Sequence, residues 1–426
     1  MDLYDELAWR GMVYDTTEGL REVIARESLT AYIGFDPTAA SLHVGSLLQV
    51  MALARLQRCG HSPIALVGGG TGLIGDPSGK TVERSLLTSE QADVNVRGIR
   101  AQLERFLDFD RSAHSARLVN NHEWLGSLSA LEFMRDVGKY FTVNYMLAKE
   151  SVKRRVESED GISYTEFSYL LLQSYDFLVL HDRFGCTLQM GGSDQWGNIT
   201  AGLDLIRKLR GARAHGMVLP LVTSASGTKF GKTEAGTVWL DPALTTPYEF
   251  YQFWFNVDDR DAVRYLKFFT FLDAAAIAAL EAASAKEPEK RHAQRELARE
   301  VTRLVHGDTA VHEAEAAAEK LFRGDLTAMS VTELLQIFPN VPSCDLAPVE
   351  AGWSVPELLT AAGVASSKSE AVRLVRGGGI SLNGRRVADE KERVTRAQAI
   401  DGRIFVIRKG KRDNFLVRLV GGGVGG

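Results

Sequence analysis

Only three cysteines occur in 426 residues, Cys59, Cys186 and Cys344, and none lies near another in sequence. That excludes a disulfide framework and a cysteine-held zinc, and it suits a protein of the reducing cytoplasm. No apolar run is long enough to cross a bilayer, so no membrane association is expected. The first residues, MDLYDELAWRGMVYDTTE, are acidic and amphipathic, unlike a secretory signal. Histidines are scattered without metal-ligand spacing, and no protein-bound metal is expected. Neither a Gly-x-Ser-x-Gly elbow nor an arguable Cys–His pair is present, so covalent catalysis has no visible nucleophile. No internal repeat is visible.

A true P-loop is missing too, although one stretch imitates it. GGGTGLIGDPSGKT, Gly68 to Thr81, follows an apolar run and ends in Gly-Lys-Thr. The motif needs four residues between its first glycine and that ending. Counting back from Gly79 leads to Ile74, and Gly75 stands one residue late. A P-loop NTPase is therefore disfavoured, and the glycines, Asp76 and Lys80 need another explanation.

What is present is an ordinary globular composition, 45% hydrophobic and 24% charged, in a chain long enough for two or three domains. The net charge of −4 conceals an asymmetry. Trp353 to Val420 holds fourteen Lys/Arg against seven Asp/Glu, a local +7 that leaves −11 for the rest. A basic module on an acidic chain suits a polyanionic partner, although a merely solvated basic face has the same signature.

Short apolar runs alternate with helical patterns in the first half. TAYIGF (Thr30–Phe35), PIALVGG, RLVNN from Arg117, TLQMGG from Thr187 and MVLPLV from Met217 read as strands. GSLLQVMALARLQRCG carries apolar residues at helical spacing, and SDQWGNITAGLDLIRKLRG reads as a helix with Ser193 or Asp194 as its N-cap. This alternation predicts an α/β fold with a doubly wound, parallel, Rossmann-like sheet over residues 1–225. Ligands of such sheets bind beyond the carboxyl ends of the strands. A loop over 226–245, an α-helical domain over 246–339, a proline-rich linker over 340–352, the basic α+β module over 353–420 and a glycine tail over 421–426 complete the expected order.

Two segments carry candidate chemistry. GFDPTAASLHVGS (Gly34–Ser46) joins the first strand to its helix, and helix N-termini offer free N–H groups to phosphate. TKFGKT (Thr228–Thr233) places two mobile ammonium groups in a loop, suited to charge developing on a leaving pyrophosphate. Taken singly, the first is equally a plain strand–turn–helix with a surface histidine, and the second reads better as a polar surface loop.

Together, His43-Val44-Gly45-Ser46 and Lys229-Phe230-Gly231-Lys232-Thr233 resemble the two signatures of class I aminoacyl-tRNA synthetases. TGLIGDPSGK, YLLLQSYDF and GGSDQWGNI are similar to the tyrosyl-tRNA synthetases of bacteria, and the likeness runs through nearly the whole chain. The resemblance implies that tyrosine's ammonium meets Asp76, Tyr169 and Gln173, its phenol meets Asp176 and Tyr32, and its carboxylate lies beside Gln195. Tyr169, Gln173 and Asp176 would share one helix face by their spacing. ATP would bind at Gly34, Asp36, His43, Gly45, Ser46, Gly192, Asp194 and Lys232, with Asp194 on the ribose. Thr38 and His43 would meet the transition-state phosphates, and Lys80, Arg84, Lys229, Lys232 and Thr233 would clamp pyrophosphate. Magnesium would enter with ATP as a substrate complex.

The implied reaction is tyrosyl-adenylate formation followed by transfer to the terminal adenosine of tRNA(Tyr). In two places the chain departs from the family pattern: Ser46 stands where a second histidine is usual, and KFGKT replaces the more widespread KMSKS. The basic module, LLTAAGVASSKSEAVRLVRGGGISLNGRRV, is similar to an RNA-binding fold first known from a small-subunit ribosomal protein. In it Lys368, Arg373, Arg376, Arg385 and Arg386 would gather near one RNA-facing surface. Family members are dimers, and the helical mid-region offers a two-fold surface. The competing reading is an RNA-binding or regulatory protein that keeps this fold without catalysis, for which Ser46 is the one feature in favour.

Overall fold

A computed structural model describes residues 2–78, 87–110, 113–159, 161–225, 230–233, 236–323, 326–339, 341–410 and 413–420, with backbone only at 89, 151, 232, 233, 322 and 323. The chain divides into two compact units, 1–244 with 254–305, and 245–253 with 306–426.

The first unit is built on six strands: β1 (Asp15–Thr16), β2 (Thr30–Phe35), β3 (Ser62–Val67), β4 (Arg117–Asn120), β5 (Cys186–Gly192) and β6 (His215–Leu219). Their spatial order is β1–β6–β5–β2–β3–β4, with β6 through β4 all parallel and β1 antiparallel at the edge. The central strands are apolar on both faces, as helices on both sides require. From β2 the chain winds outward one way through β3 and β4, then returns to β5 on β2's other side. The crevice between the carboxyl ends of β2 and β5 is thus the topological switch point, where such sheets bind ligands.

Four helices frame that crevice: α1 (Leu47–Arg58), α2 (Ser89–Leu103), α3 (Tyr164–Phe184) and α4 (Trp196–Arg210). α1 buries Leu47, Leu48, Val50 and Met51, which fixes the start of the helix against the sheet. Its Arg55 is itself buried and donates to the carbonyls of Phe268 (3.0 Å) and Thr270 (2.6 Å) at the end of α5 (Asp259–Phe269). Arg10 joins it with a bond to Thr270 O at 3.1 Å, so two guanidiniums satisfy carbonyls that the helix end leaves open. A two-stranded hairpin, β7 (Lys232–Thr233) with β8 (Gly236–Thr237), follows the sheet.

The second unit centres on a five-stranded sheet. Its strands, in spatial order, are β12 (Arg385–Arg386), β11 (Ile380–Leu382), β14 (Ile404–Lys409), β15 (Asp413–Leu419) and β9 (Ser343–Leu346). A separate pair is made by β10 (Trp353–Ser354) and β13 (Arg393–Val394). Phe405, Ile407 and Val417 pack one face against α8 (Val355–Ala361) and α9 (Lys368–Arg376). Ile404, Val406 and Leu416 pack the other face against α6 (Asp308–Arg323) and α7 (Val331–Ile337).

Two expected boundaries differ from the observed ones. β14 is apolar at four successive positions, Ile404 to Ile407, so the sheet needs cover on both faces. α6 and α7 supply it, and the helical stretch 246–339 is therefore shared between the two units. The expected linker 340–352 contains β9, which pairs in parallel with β15. Nearby prolines at 342 and 348 masked its alternating pattern.

Candidate active site

The loops leaving β2, β3 and β5 and one face of α3 enclose a cavity of about 570 Å³. It is lined by Tyr32, Gly34, Asp36, His43, Gly45, Ser46, Asp76, Tyr169, Gln173, Asp176, Gly192, Asp194 and Gln195. Thr38 lies in the same loop as Asp36 but is exposed and outside the lining. Lys80, Arg84 and Lys229 lie outside the described residues, as do the side chains of Lys232 and Thr233.

The apolar end of the cavity holds two buried polar groups. Asp176, 1% exposed on α3, accepts from Trp124 Nε1 at 2.7 Å and from Asn121 Nδ2 at 2.9 Å, one donor per carboxylate oxygen. Burial pushes its carboxyl up to about 7, while the Asn121 and Trp124 donors hold it down and Asp36 adds repulsion. Tyr32, also 1% exposed, has its hydroxyl buried with no hydrogen-bond partner. Burial first, and then the nearby Asp176 charge, raise that hydroxyl's pKa well above the ordinary range. A buried hydroxyl beside a buried carboxylate, the former unpartnered, is matched by a ligand group that both donates and accepts.

The polar end is a network. Asp76 accepts from the Ser78 backbone N–H at 2.9 Å and from Gln195 Nε2 at 2.7 Å. Tyr169 donates its hydroxyl hydrogen to Asp36 at 3.2 Å. Gln173 Nε2 donates to Gln195 Oε1 at 3.2 Å. Gln195 therefore has one amide hydrogen committed to Asp76 and one left for a ligand. Glycines make room for these groups: a Cβ on Gly68 would sit 2.8 Å from Asp36 Oδ1, and one on Gly192 would sit 2.5 Å from Asp194 Oδ1.

At the start of α1, His43 caps a 3-10 turn, Val44–Ser46, with Nδ1 accepting from Gly45 N at 3.0 Å. In the neutral ring the proton is then on Nε2, which can donate to an anion. Ser193 and Asp194 do not cap α4 as the pattern suggested. They form a 3-10 turn capped by Gly192, and Trp196 N–H bonds Ser193 O, the amide a Ser193 side-chain cap would have used. Asp194 is left lining the cavity instead.

In the second unit Lys368, Arg373, Arg376, Arg385 and Arg386 are all exposed. Three of them are paired: Lys368 with Glu357 at 3.0 Å, Arg376 with Glu390 at 2.7 Å, and Arg385 with Glu392.

Sequence reasoning missed Asn121, Trp124 and Asn198, and also Gln49 and Gln189, whose side-chain oxygens are buried without partners at the cavity. Asn121 stands just past the carboxyl end of β4, a position that could have flagged it. Nothing in NHEWL marks Trp124 as a donor.

Known proteins share both the sequence and the architecture. Residues 25–323 match the family described as tRNA synthetases class I (W and Y), and residues 333–417 match the tyrosine–tRNA ligase SYY-like C-terminal domain. The chain is 56% identical over 421 residues to the tyrosine–tRNA ligase of Roseiflexus castenholzii, covering 98% of this chain and 99% of that one. It is 53% identical over 423 residues to that of Geobacillus stearothermophilus, covering 98% and 100%. Among solved structures it resembles the C-terminally truncated mitochondrial tyrosyl-tRNA synthetase of Aspergillus nidulans, with a TM-score of 0.68, 30% identity, and coverage of 75% and 94%.

Proposed function

The chain belongs to the tyrosine–tRNA ligases, class I synthetases that activate tyrosine with ATP and charge tRNA(Tyr), and on that premise we propose how its residues divide the work. Tyrosine lies with its phenol between Asp176 and Tyr32. Asp176 accepts the phenolic hydrogen, and Tyr32 donates to the phenolic oxygen. Phenylalanine would leave both groups desolvated and unmatched. The observation that carries this reading is the Tyr32 hydroxyl, buried without a partner at the cavity's apolar end.

The ammonium meets Asp76, the Tyr169 oxygen and the Gln173 carbonyl, and the remaining Gln195 N–H reaches the carboxylate. ATP enters as its magnesium complex over the start of α1. Gly34, Asp36, Gly45, Ser46 and Gly192 line its site, Asp194 takes the ribose, and His43 Nε2–H and Thr38 meet the phosphates. The tyrosine carboxylate attacks the α-phosphorus and pyrophosphate leaves, its charge met by Lys80, Arg84, Lys229, Lys232 and Thr233. A ribose hydroxyl of the tRNA's terminal adenosine then attacks the activated carbonyl and AMP leaves. Neither step needs a protein nucleophile; positioning and charge stabilisation suffice. Ser46 keeps a donor at the usual second-histidine position, with a shorter reach than imidazole.

The basic second unit takes the RNA. Exposed ion pairs contribute little, so exchanging Glu357, Glu390 and Glu392 for phosphates costs little. A second copy of the chain covers the segment before α3 together with that helix's first residue. There Leu131 (81% exposed), Met134, Val143, Leu147, Val156 and Tyr164 (72%) present apolar side chains to solvent. On this reading the two-fold surface lies between β4 and the first residue of α3, whereas the sequence pattern alone pointed to the helical mid-region. The chain works where translation runs, and its three free cysteines suit the reducing cytoplasm.

The test is ATP–pyrophosphate exchange run with each of the twenty amino acids. Exchange with tyrosine alone is expected. Comparable exchange with phenylalanine or tryptophan would remove the assignment of Asp176 and Tyr32.

A further inference from the structure

Beside the cavity, three side-chain amides and one carboxylate form a directed chain of hydrogen bonds headed by Asn198, which is 3% exposed on the first turn of α4. Asn198 Nδ2 lies 2.9 Å from Gln173 Oε1, 3.2 Å from Gln195 Oε1 and 3.3 Å from Ser78 Oγ. Gln173 Nε2 donates to Gln195 Oε1 at 3.2 Å, and Gln195 Nε2 donates to Asp76 Oδ2 at 2.7 Å. The amide hydrogens all run one way, from Asn198 through the glutamines to the carboxylate.

That direction has a chemical consequence. A primary amide has nearly the same shape either way round, but opposite polarity at its two ends. Turning Gln173 over would set its NH2 against the NH2 of Asn198, two donors with no acceptor between them. Turning Gln195 over would set its NH2 against that same donor and its carbonyl against the Asp76 carboxylate. With Asn198 in place, Gln173 holds its carbonyl in the acceptor position, with a lone pair to spare for a cation. Without that donor Gln195 is still held by Asp76, but Gln173 keeps only its bond to Gln195, and an inverted Gln173 presents N–H groups to an ammonium, which has no acceptor to offer them.

We propose that Asn198 is a positioning residue that fixes the amide orientation of Gln173 and thereby makes the cavity selective for an α-ammonium group. It acts through Gln173 rather than by touching substrate. The inference rests on the reading that Asp76 and Gln173 meet the ammonium.

Asn198→Leu removes the donor at similar volume, and Asn198→Ala removes it without adding bulk if leucine disturbs the packing. The assay is tyrosine-dependent pyrophosphate exchange by the full chain, with the des-amino analogue of tyrosine as competitive inhibitor. The variant should raise KM for tyrosine about tenfold, the effect of one good hydrogen bond, while kcat stays within about twofold. Inhibition by the des-amino analogue, which lacks the ammonium, should be unchanged. Equal weakening of tyrosine and the analogue would mean a merely structural role, and unchanged KM would mean no role; either overturns the proposal. Gln173→Ala is the reference: if it fails to separate the two ligands, the placement of the ammonium is what falls.

Discussion

Replacing Tyr32 by phenylalanine should move stability and tyrosine affinity in opposite directions. The side chain is fully buried in β2 between Ile64 and Gln189 of the neighbouring strands, with its ring 5.3 Å from that of Phe177. The substitution removes one oxygen and no carbon, so the packing of the ring survives. In the free protein that oxygen is buried without a partner, a situation that costs about 1–3 kcal/mol. Because it faces a cavity, the lower figure applies, and the variant should melt about 2 °C higher without ligand. With tyrosine bound, the same change deletes one hydrogen bond, about 0.5–1.5 kcal/mol, and weakens tyrosine roughly 2- to 13-fold. Phenylalanine never uses the hydroxyl, so selectivity should fall by more than tyrosine affinity alone. Thermal unfolding with and without tyrosine, together with exchange kinetics on both amino acids, reads all three effects. A lower melting point combined with unchanged tyrosine affinity would refute the reasoning.

Asp176 makes pH a second probe. Its folded carboxyl is pushed up to about 7, whereas an unfolded aspartate loses its proton near about 4. The folded state therefore binds the proton more tightly, and the free protein loses stability as pH rises from about 4 to about 7, with no further loss above. Asp176→Asn should flatten that slope in a thermal-melt series. Since the ionised form accepts the phenolic hydrogen, kcat/KM for tyrosine should rise through about 7 and then level; a flat profile contradicts the assignment. Arg155 and Glu166 form a pair only 3% exposed on each side, with Arg155 Nη2 2.8 Å from Glu166 Oε2. Arg155→Met should destabilise by about 3–5 kcal/mol in chemical denaturation, and adding Glu166→Leu should recover most of it. A cost of well under about 1 kcal/mol for the single change would show that the stranded carboxylate finds water. Leu131→Glu with Met134→Glu should convert a dimer to a monomer in sedimentation; a monomeric parent, or a doubly substituted dimer, removes the proposed surface. Replacing Arg373 and Arg386 by alanine should lower the slope of log affinity for tRNA(Tyr) against log salt by about 1 for each phosphate no longer neutralised. An unchanged slope would leave that face without a role in RNA binding.

Much of the first unit was legible because local pattern and tertiary role agree there. TAYIGF is a strand with the bounds its sequence suggested, and the unusual residues stand where strands end and helices begin. The helix from Tyr164 to Phe184 puts Tyr169, Gln173 and Asp176 at the same cavity because spacing of three and four residues repeats on a helix face. The helix start after β5 was less legible. A capping residue and a 3-10 turn compete for the same amide, and nothing local decides which wins. The two-faced sheet of the second unit was hidden because IFVI reads alike as a buried strand or a piece of buried helix.

By itself, then, the sequence determined the alternation of elements, the charge split between the acidic body and the basic end, and which junctions carry reactive side chains. Those properties follow from hydrophobic period, turn chemistry and formal charge, all of which act over a few residues. Only the tertiary structure decided that Asn121 and Trp124 would each supply a donor to Asp176, more than fifty residues away, and that Asn198 would donate to the carbonyl of Gln173. It also decided that the Tyr32 hydroxyl would be left without a partner. Such arrangements depend on which loops the sheet order brings to one switch point, and a hydrogen bond between distant residues leaves no periodic trace in the chain.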